Sequence, residues 1–277
     1  MKIEKTLRDL REKKKKGLII YIAAGDPDLE TTEQLVYTIA EAGADIIELG
    51  IPFSDPLADG PTIQQASQRA LNGKVTIPKI LSTIEKIRKK SSVPIALMTY
   101  YNPIFYYGLD RFVAGSKAVG VDGLIVPDLP LEESKELRDI TERLEIELIS
   151  FIAPTSTPER IDAIAKVAQG FIYCVSVTGV TGTRENLSLD VAEMIRKLRP
   201  YTDIPLAIGF GISNAKQAKK ATKYADAAIV GSAVVKLIEN SRGDLSVMLS
   251  QVSDFVKSLK ETINGKNSTE IIQLEGN

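Results

Sequence analysis

Three carboxylates fall within the segment Ile47–Gly60, which reads Ile-Glu-Leu-Gly-Ile-Pro-Phe-Ser-Asp-Pro-Leu-Ala-Asp-Gly. Glu48 interrupts an apolar run made by Ile46, Ile47, Leu49 and Ile51, the pattern of a strand covered on both faces. Neighbouring side chains on a strand point to opposite faces, so Glu48 has apolar neighbours whichever way it turns. A carboxylate in such a place either finds a buried ion pair or has its pKa forced upward, and the second outcome makes it a proton donor near neutral pH. Both readings of Glu48 stand on the sequence. Asp55 and Asp59 follow among Pro52, Pro56 and Gly60, in loop chemistry. Asp55, before a proline, reads as a turn residue. Asp59 reads either as a second active carboxylate or as a cap for the helix that Gly60-Pro61 begins.

The rest of the composition narrows who can do acid–base work. Among 277 residues there is no histidine and one cysteine, Cys174. Imidazole catalysis, Ser–His and Cys–His pairs, an internal disulfide and multi-cysteine metal sites are therefore excluded. Lysine is absent from every strand candidate, which argues against Schiff-base chemistry, and no cluster of carboxylates suggests a metal. The net charge of −1 favours neither nucleic acid nor an anionic membrane surface. Lys13–Lys16 followed by Leu18–Ala24 imitates a signal peptide, but its apolar part is short and like runs recur throughout, so it reads as a core strand. No run approaches the ~20 apolar residues of a membrane span.

The elements that must position these residues alternate. Ile3–Lys16 reads as an amphipathic helix preceding the first strand. Strands are expected at Leu18–Ala23, Ala44–Gly50, Pro94–Thr99, Gly123–Val126, Glu147–Ile152, Gly170–Val175, Pro205–Gly209 and Ala227–Val230. Helical patterns fall near 30–43, 61–72, 76–91, 109–119, 131–144, 157–168, 189–199, 213–224 and 245–262, with Ser213-Asn214, Thr157 and Ser188 as caps. Strict strand–helix alternation implies a (β/α)₈ TIM barrel with an extra N-terminal helix, over residues 1–265, with 266–277 a loose tail. A doubly wound sheet is the weaker alternative, because no G-x-G-x-x-G turn follows the first strand. Two short echoes support repetition: a small residue then Asp entering strands at Asp45, Asp122 and Asp226, and proline entries at Pro94 and Pro205.

In a barrel the site forms at the carboxyl ends of the strands. Those ends carry Tyr21, Glu48, Tyr100, Asp128, Tyr173, the glycines of Gly209-Phe210-Gly211, and Gly231-Ser232. The last two exits, with Thr181-Gly182, read as a phosphate cradle built on backbone amides and on helices opened by Ser213 and Ser232. Plain turn glycines are the competing reading. Asp128 reads as a turn residue, and Tyr173 as either a core aromatic or a hydroxyl reaching the cavity.

The Ile47–Gly60 segment, together with Met98–Pro103, Gly120–Gly123, Pro127–Pro130, Gly179–Gly182, Gly209–Ile212 and Gly231–Ala233, resembles the tryptophan synthase alpha chain family over residues 1–262. The resemblance implies a cytoplasmic lyase of tryptophan biosynthesis that cleaves indole-3-glycerol phosphate to indole and glyceraldehyde 3-phosphate by a retro-aldol step. It implies Glu48 as general acid and base, Asp59 as acceptor of the indole N–H, and Tyr173 beside the substrate. Tyr21, Tyr100 and Phe210 would line the indole pocket, and Thr181, Gly182, Gly211, Gly231 and Ser232 would hold phosphate. No cofactor is implied in this chain. Pyridoxal phosphate is expected in a partner beta chain, in an alpha-beta-beta-alpha tetramer contacted through Pro52, Phe53, Asp55, Pro56 and Asn102. Val177 and Thr178 depart from the more polar residues common in the family, and Tyr21 stands where Phe is usual. The alternatives are another phosphate-handling barrel such as an isomerase, a stand-alone lyase, and an idle barrel serving only as allosteric partner.

Overall fold

The structure is a computed structural model that describes residues 1–175, 186–209 and 211–265, with 186–191 as backbone only. Eight parallel strands close in sequence order: β1 (Gly17–Ala23), β2 (Ile46–Gly50), β3 (Ile95–Met98), β4 (Gly123–Ile125), β5 (Glu147–Ile152), β6 (Ile172–Val175), β7 (Leu206–Gly209) and β8 (Ala227–Val230). The helices are α1 (Lys2–Glu12), α2 (Leu29–Glu41), α3 (Pro61–Asn72), α4 (Ile77–Arg88), α5 (Tyr101–Tyr107), α6 (Leu109–Ala118), α7 (Lys135–Arg143), α8 (Pro158–Ala165), α9 (Asn186–Leu198), α10 (Ala215–Thr222), α11 (Ser232–Asn240) and α12 (Leu245–Ile263). The expected barrel is borne out. The tail 266–277 lies outside the described residues.

Alternation on each strand divides the core in two. Outward residues such as Leu18, Ile20, Ile22, Leu49 and Leu97 pack against the helices, while Ile19, Ile46, Ala96, Ile125, Ile149, Phe171, Ala207 and Ala227 fill the interior. The bottom of that interior is sealed by α1, whose Ile3 and Leu7 are fully buried among the inward residues. Glu147, buried on β5, accepts hydrogen bonds from the Ile3 and Glu4 backbone N–H groups at 2.8 and 2.9 Å, anchoring the start of the plug. These N–H groups would otherwise lack partners at the helix start.

The sequence echoes have one structural meaning each. Asp45, Asp122 and Asp226 each accept an N–H at the start of a neighbouring strand, from Leu18, Ile95 and Leu206, at 2.7, 2.9 and 2.8 Å. Each also pairs with a cation, Lys260, Arg88 and Arg199 respectively. Pro94 and Pro205, having no N–H to donate, offer their carbonyls to Ile47 and Ile172 at 2.9 and 2.8 Å. The repetition is a set of matching clamps at the amino end of the barrel.

Several local expectations differ. The α1 helix ends at Glu12, not Lys16. A helix with no counterpart among the expected ones, α5, follows β3, and the single helix expected at 131–144 divides into a 3₁₀ turn, Leu131–Glu133, and α7. Asn214, not Ser213, caps α10, through a bond from the Gln217 N–H, while Ser188 lies inside α9. The α5 helix is stabilised from another unit: the Asp128 carboxylate, at the exit of β4, accepts the Tyr101 N–H at 2.9 and 3.1 Å. A cap supplied so far along the chain is invisible to local patterns.

Candidate functional site

The inward faces converge on a cavity of about 540 Å³ at the carboxyl ends of the strands. Glu48 stands in its wall, 1% exposed, with Tyr21 opposite it on β1 and Ala96 on β3. Its Oε2 atom is buried and has no hydrogen-bond partner among the described residues. Among the described residues no cation pairs with it, which removes the core ion-pair reading. Burial, and then the nearby charge of Asp59, push its carboxyl up to about 8.

Asp59 reaches the same cavity from the loop after β2. The helix cap at this point is Gly60, with no side-chain capping bond, so Asp59 is not a cap. Burial raises its carboxyl to about 6, against a hydrogen bond from the Tyr100 hydroxyl that lowers it. That hydroxyl also accepts the Ala58 N–H at 2.9 Å, so Tyr100 holds two successive loop residues, Ala58 and Asp59. Tyr100 sits behind Asp59 and does not line the cavity. Asp55 is exposed and bonded to Ser54, in keeping with loop structure.

Tyr21 and Tyr173 complete the floor, both with hydroxyls held protonated because burial raises them well above the usual tyrosine value. Two glycines make room for them. A methyl on Gly50 would overlap the Tyr21 hydroxyl, and one on Gly209 would overlap that of Tyr173. Gly50 and Gly209 therefore end β2 and β7 as space for tyrosine rings, and Gly209 is no turn residue. Phe151 stacks on Tyr173 with ring centroids 5.0 Å apart.

At the far side, Gly211, Gly231 and Ser232 line the cavity. Gly211 has φ of 72°, a conformation that favours glycine. Gly231 precedes α11 without a side-chain capping bond, leaving the helix's first-turn N–H groups open to the cavity. Ser213 contributes less than expected, since its N–H and hydroxyl both donate to the Gln217 side chain, at 2.8 and 2.9 Å. Thr181, Gly182 and Phe210 lie outside the described residues, as do Val177 and Thr178.

Met98, Phe151, Ile63 and Ile229 line the cavity and were not singled out from sequence. The missed signal was alternation: Met98 follows inward Ala96 by two positions, Phe151 follows Ile149, and Ile229 follows Ala227. Of the expected partner residues, Phe53, Asp55, Pro56 and Asn102 have exposed surface, but Pro52 is buried and unavailable for contact. Beside them Leu57, Phe105 and Tyr106 are 93, 63 and 93% exposed.

The family model described as "Tryptophan synthase alpha chain" matches residues 7–264. A tryptophan synthase alpha chain from a Thermoanaerobacter species is 52% identical over 262 residues, covering 95% of this chain and 99% of that protein. One from a Picosynechococcus species is 50% identical, covering 94% and 98%. Among solved structures, the tryptophan synthase alpha chain of Legionella pneumophila superposes with a TM-score of 0.88 at 33% identity, covering 96% and 98% of the two chains. Mycobacterium tuberculosis tryptophan synthase gives 0.86 at 33%, covering 95% and 98%. The buried carboxylate pair over an eight-stranded barrel thus sits in a chain that belongs to the tryptophan synthase alpha chain family.

Proposed function

We propose that Glu48 moves the protons and Asp59 holds the ring charge in the reaction of this family, the cleavage of indole-3-glycerol phosphate to indole and glyceraldehyde 3-phosphate. The chain is a carbon–carbon lyase of tryptophan biosynthesis. The observation that carries the assignment is the divergence of the two carboxyls, about 8 for Glu48 and about 6 for Asp59, in one cavity. Near neutral pH one is an acid and the other an anion, the division of labour that two unlike environments produce.

Protonated Glu48 delivers its proton to indole C3, and the ring becomes an indoleninium cation. Asp59 accepts the ring N–H and offsets that charge in a site screened from water. The Glu48 carboxylate then takes the proton of the glycerol hydroxyl next to the scissile bond. The C–C electron pair returns to the ring, the carbonyl of glyceraldehyde 3-phosphate forms, and Glu48 ends as it began. Tyr21, Phe210 and Tyr173 flank the indole. The Gly211 and Gly231-Ser232 amides, with Thr181 and Gly182, take the phosphate, aided by the open N-terminus of α11. Tyr100 is a positioning residue that acts through Asp59.

The reading assigns this chain no metal and no cofactor, because proton transfer and charge stabilisation both lie within carboxyl chemistry. Pyridoxal phosphate is assigned to a partner beta chain in an alpha-beta-beta-alpha assembly. Support for a docking face comes from Leu57, Phe105 and Tyr106, large apolar side chains exposed beside Phe53, Pro56 and Asn102.

Purified chain incubated with indole-3-glycerol phosphate, with and without a beta chain, tests the whole reading by indole release. No indole in either case would overturn it. Indole unaffected by any beta chain would restrict it to a stand-alone lyase.

A further inference from the structure

Seven strands of this barrel hide their outward side chains, and β5 does not. Outward Leu148 and Ser150 are both half-buried, where Leu18, Ile20, Ile47, Leu97 and Leu124 are fully buried. The six residues of β5 extend about 20 Å, whereas α8, with eight residues, covers about 12 Å. Between α7, α8 and the loop after β4 this leaves a cavity of about 410 Å³ on the outside of the barrel.

Its lining joins apolar side chains to charged ones, and the one carboxylate among the described lining residues, Asp128 of the loop after β4, is engaged with the Tyr101 N–H. Leu148 and Ser150 form the floor, and Leu131 and Ile164 supply apolar walls. Two guanidinium groups stand at the mouth. Arg160 is held in a paired bond to Glu132, at 2.7 and 3.2 Å. Arg138 donates to the Ser134 hydroxyl and, among the described residues, has no carboxylate partner. A half-buried arginine without a counter-ion, over an apolar slot of a size ordinary for small ligands, calls for an anion carried on an apolar body.

We propose that this outer cavity over β5 is a second binding site, distinct from the catalytic cavity, for a small organic anion with an aromatic or aliphatic body whose carboxylate, sulfonate or phosphate is held by Arg138. Ser150 gives the ligand a hydroxyl to bond at the floor. Pro127 and Phe151 line both cavities, so a test must separate the two.

The test uses 8-anilinonaphthalene-1-sulfonate, titrated by fluorescence into the full chain, alone and with indole plus glycerol 3-phosphate filling the catalytic cavity. The expected result is a single site that those two compounds do not displace. Arg138→Met should weaken it about tenfold or more, the worth of a charge-assisted hydrogen bond. Ser150→Leu, and separately Ser150→Ile, should abolish it by filling the floor with the residue types that other strands already point outward. Indole formation by each variant confirms that it is folded. Displacement by indole and glycerol 3-phosphate, or wild-type binding in Arg138→Met or in both Ser150 variants, would overturn the proposal.

Discussion

Glu48 and Asp59 carry a pH dependence that can be worked out from their environments. In the proposed mechanism the active state has Asp59 ionised and Glu48 protonated. The rate profile of kcat/KM for the free chain should therefore be a bell, its limbs near the pair's apparent values of about 6 and about 8. Glu48→Gln should lower kcat by at least about 10³-fold while substrate still binds; near-normal turnover would mean that another group moves the proton. The same variant tests stability. Glu48 has a folded-state pKa raised from 4.5 to about 8, so the folded chain binds the proton more tightly than the unfolded one. Its contribution falls as pH rises between those values, and the charge remains costly above them. Glu48→Gln should accordingly raise Tm more at about pH 8.5 than at about pH 5 in calorimetry. Tyr100→Phe removes a bond that lowers the Asp59 pKa. The acidic limb should move upward, with a loss of about tenfold at neutral pH. A limb left in place would show that Tyr100 does not act through Asp59.

At the scale of elements, the barrel's precision rests on a few long-range bonds. The Asp122 carboxylate holds Ile95 of β3 and Arg88 of α4. Asp122→Ala leaves the Ile95 N–H and the Arg88 Nη2 without that acceptor, while the rest of the guanidinium keeps its backbone carbonyls, and should cost about 2–4 kcal/mol in denaturant unfolding. Since the clamp lies at the end of the barrel opposite the cavity, kcat of the folded variant should stay within about twofold of wild type. A large loss of kcat would mean that strand register, and with it Glu48, depends on the clamp. Gly50→Ala should behave in reverse. Its methyl displaces the Tyr21 ring beside Glu48, so activity should drop with a smaller change in stability.

For the whole molecule, the proposed docking face lies at the same end as the cavity. Tyr106→Asp, on an exposed turn of α5, should weaken titration with a beta chain by about tenfold or more while leaving the isolated chain's indole release unchanged. Unchanged affinity would move the interface elsewhere. The α5 helix is tied to the exit of β4 through Asp128, so the face and the Pro127 side of the cavity are parts of one connected loop cluster.

Much of this was legible in the sequence, for reasons that can be named. Near-continuous apolar runs separated by helical patterns dictate a parallel sheet covered on both faces, and eight such units leave closure as the economical arrangement. A carboxylate inside an apolar run in a chain without histidine marks Glu48, because burial acts on it wherever the strand lies. What the sequence left open were choices made by residues distant along the chain. Asp59 stood equally as cap or catalyst until Tyr100, on another strand, was seen to hold it. Asp128 read as a turn and proved to cap α5, and Gly209 read as part of a phosphate cradle or as a plain turn and proved to be space for Tyr173. The helices expected over 131–144 and 157–168 form only as the shorter α7 and α8, and a second cavity opens between them over β5. Local periodicity determines which face of an element is apolar; what meets that face, and what is left uncovered, is decided by the closed packing of the barrel.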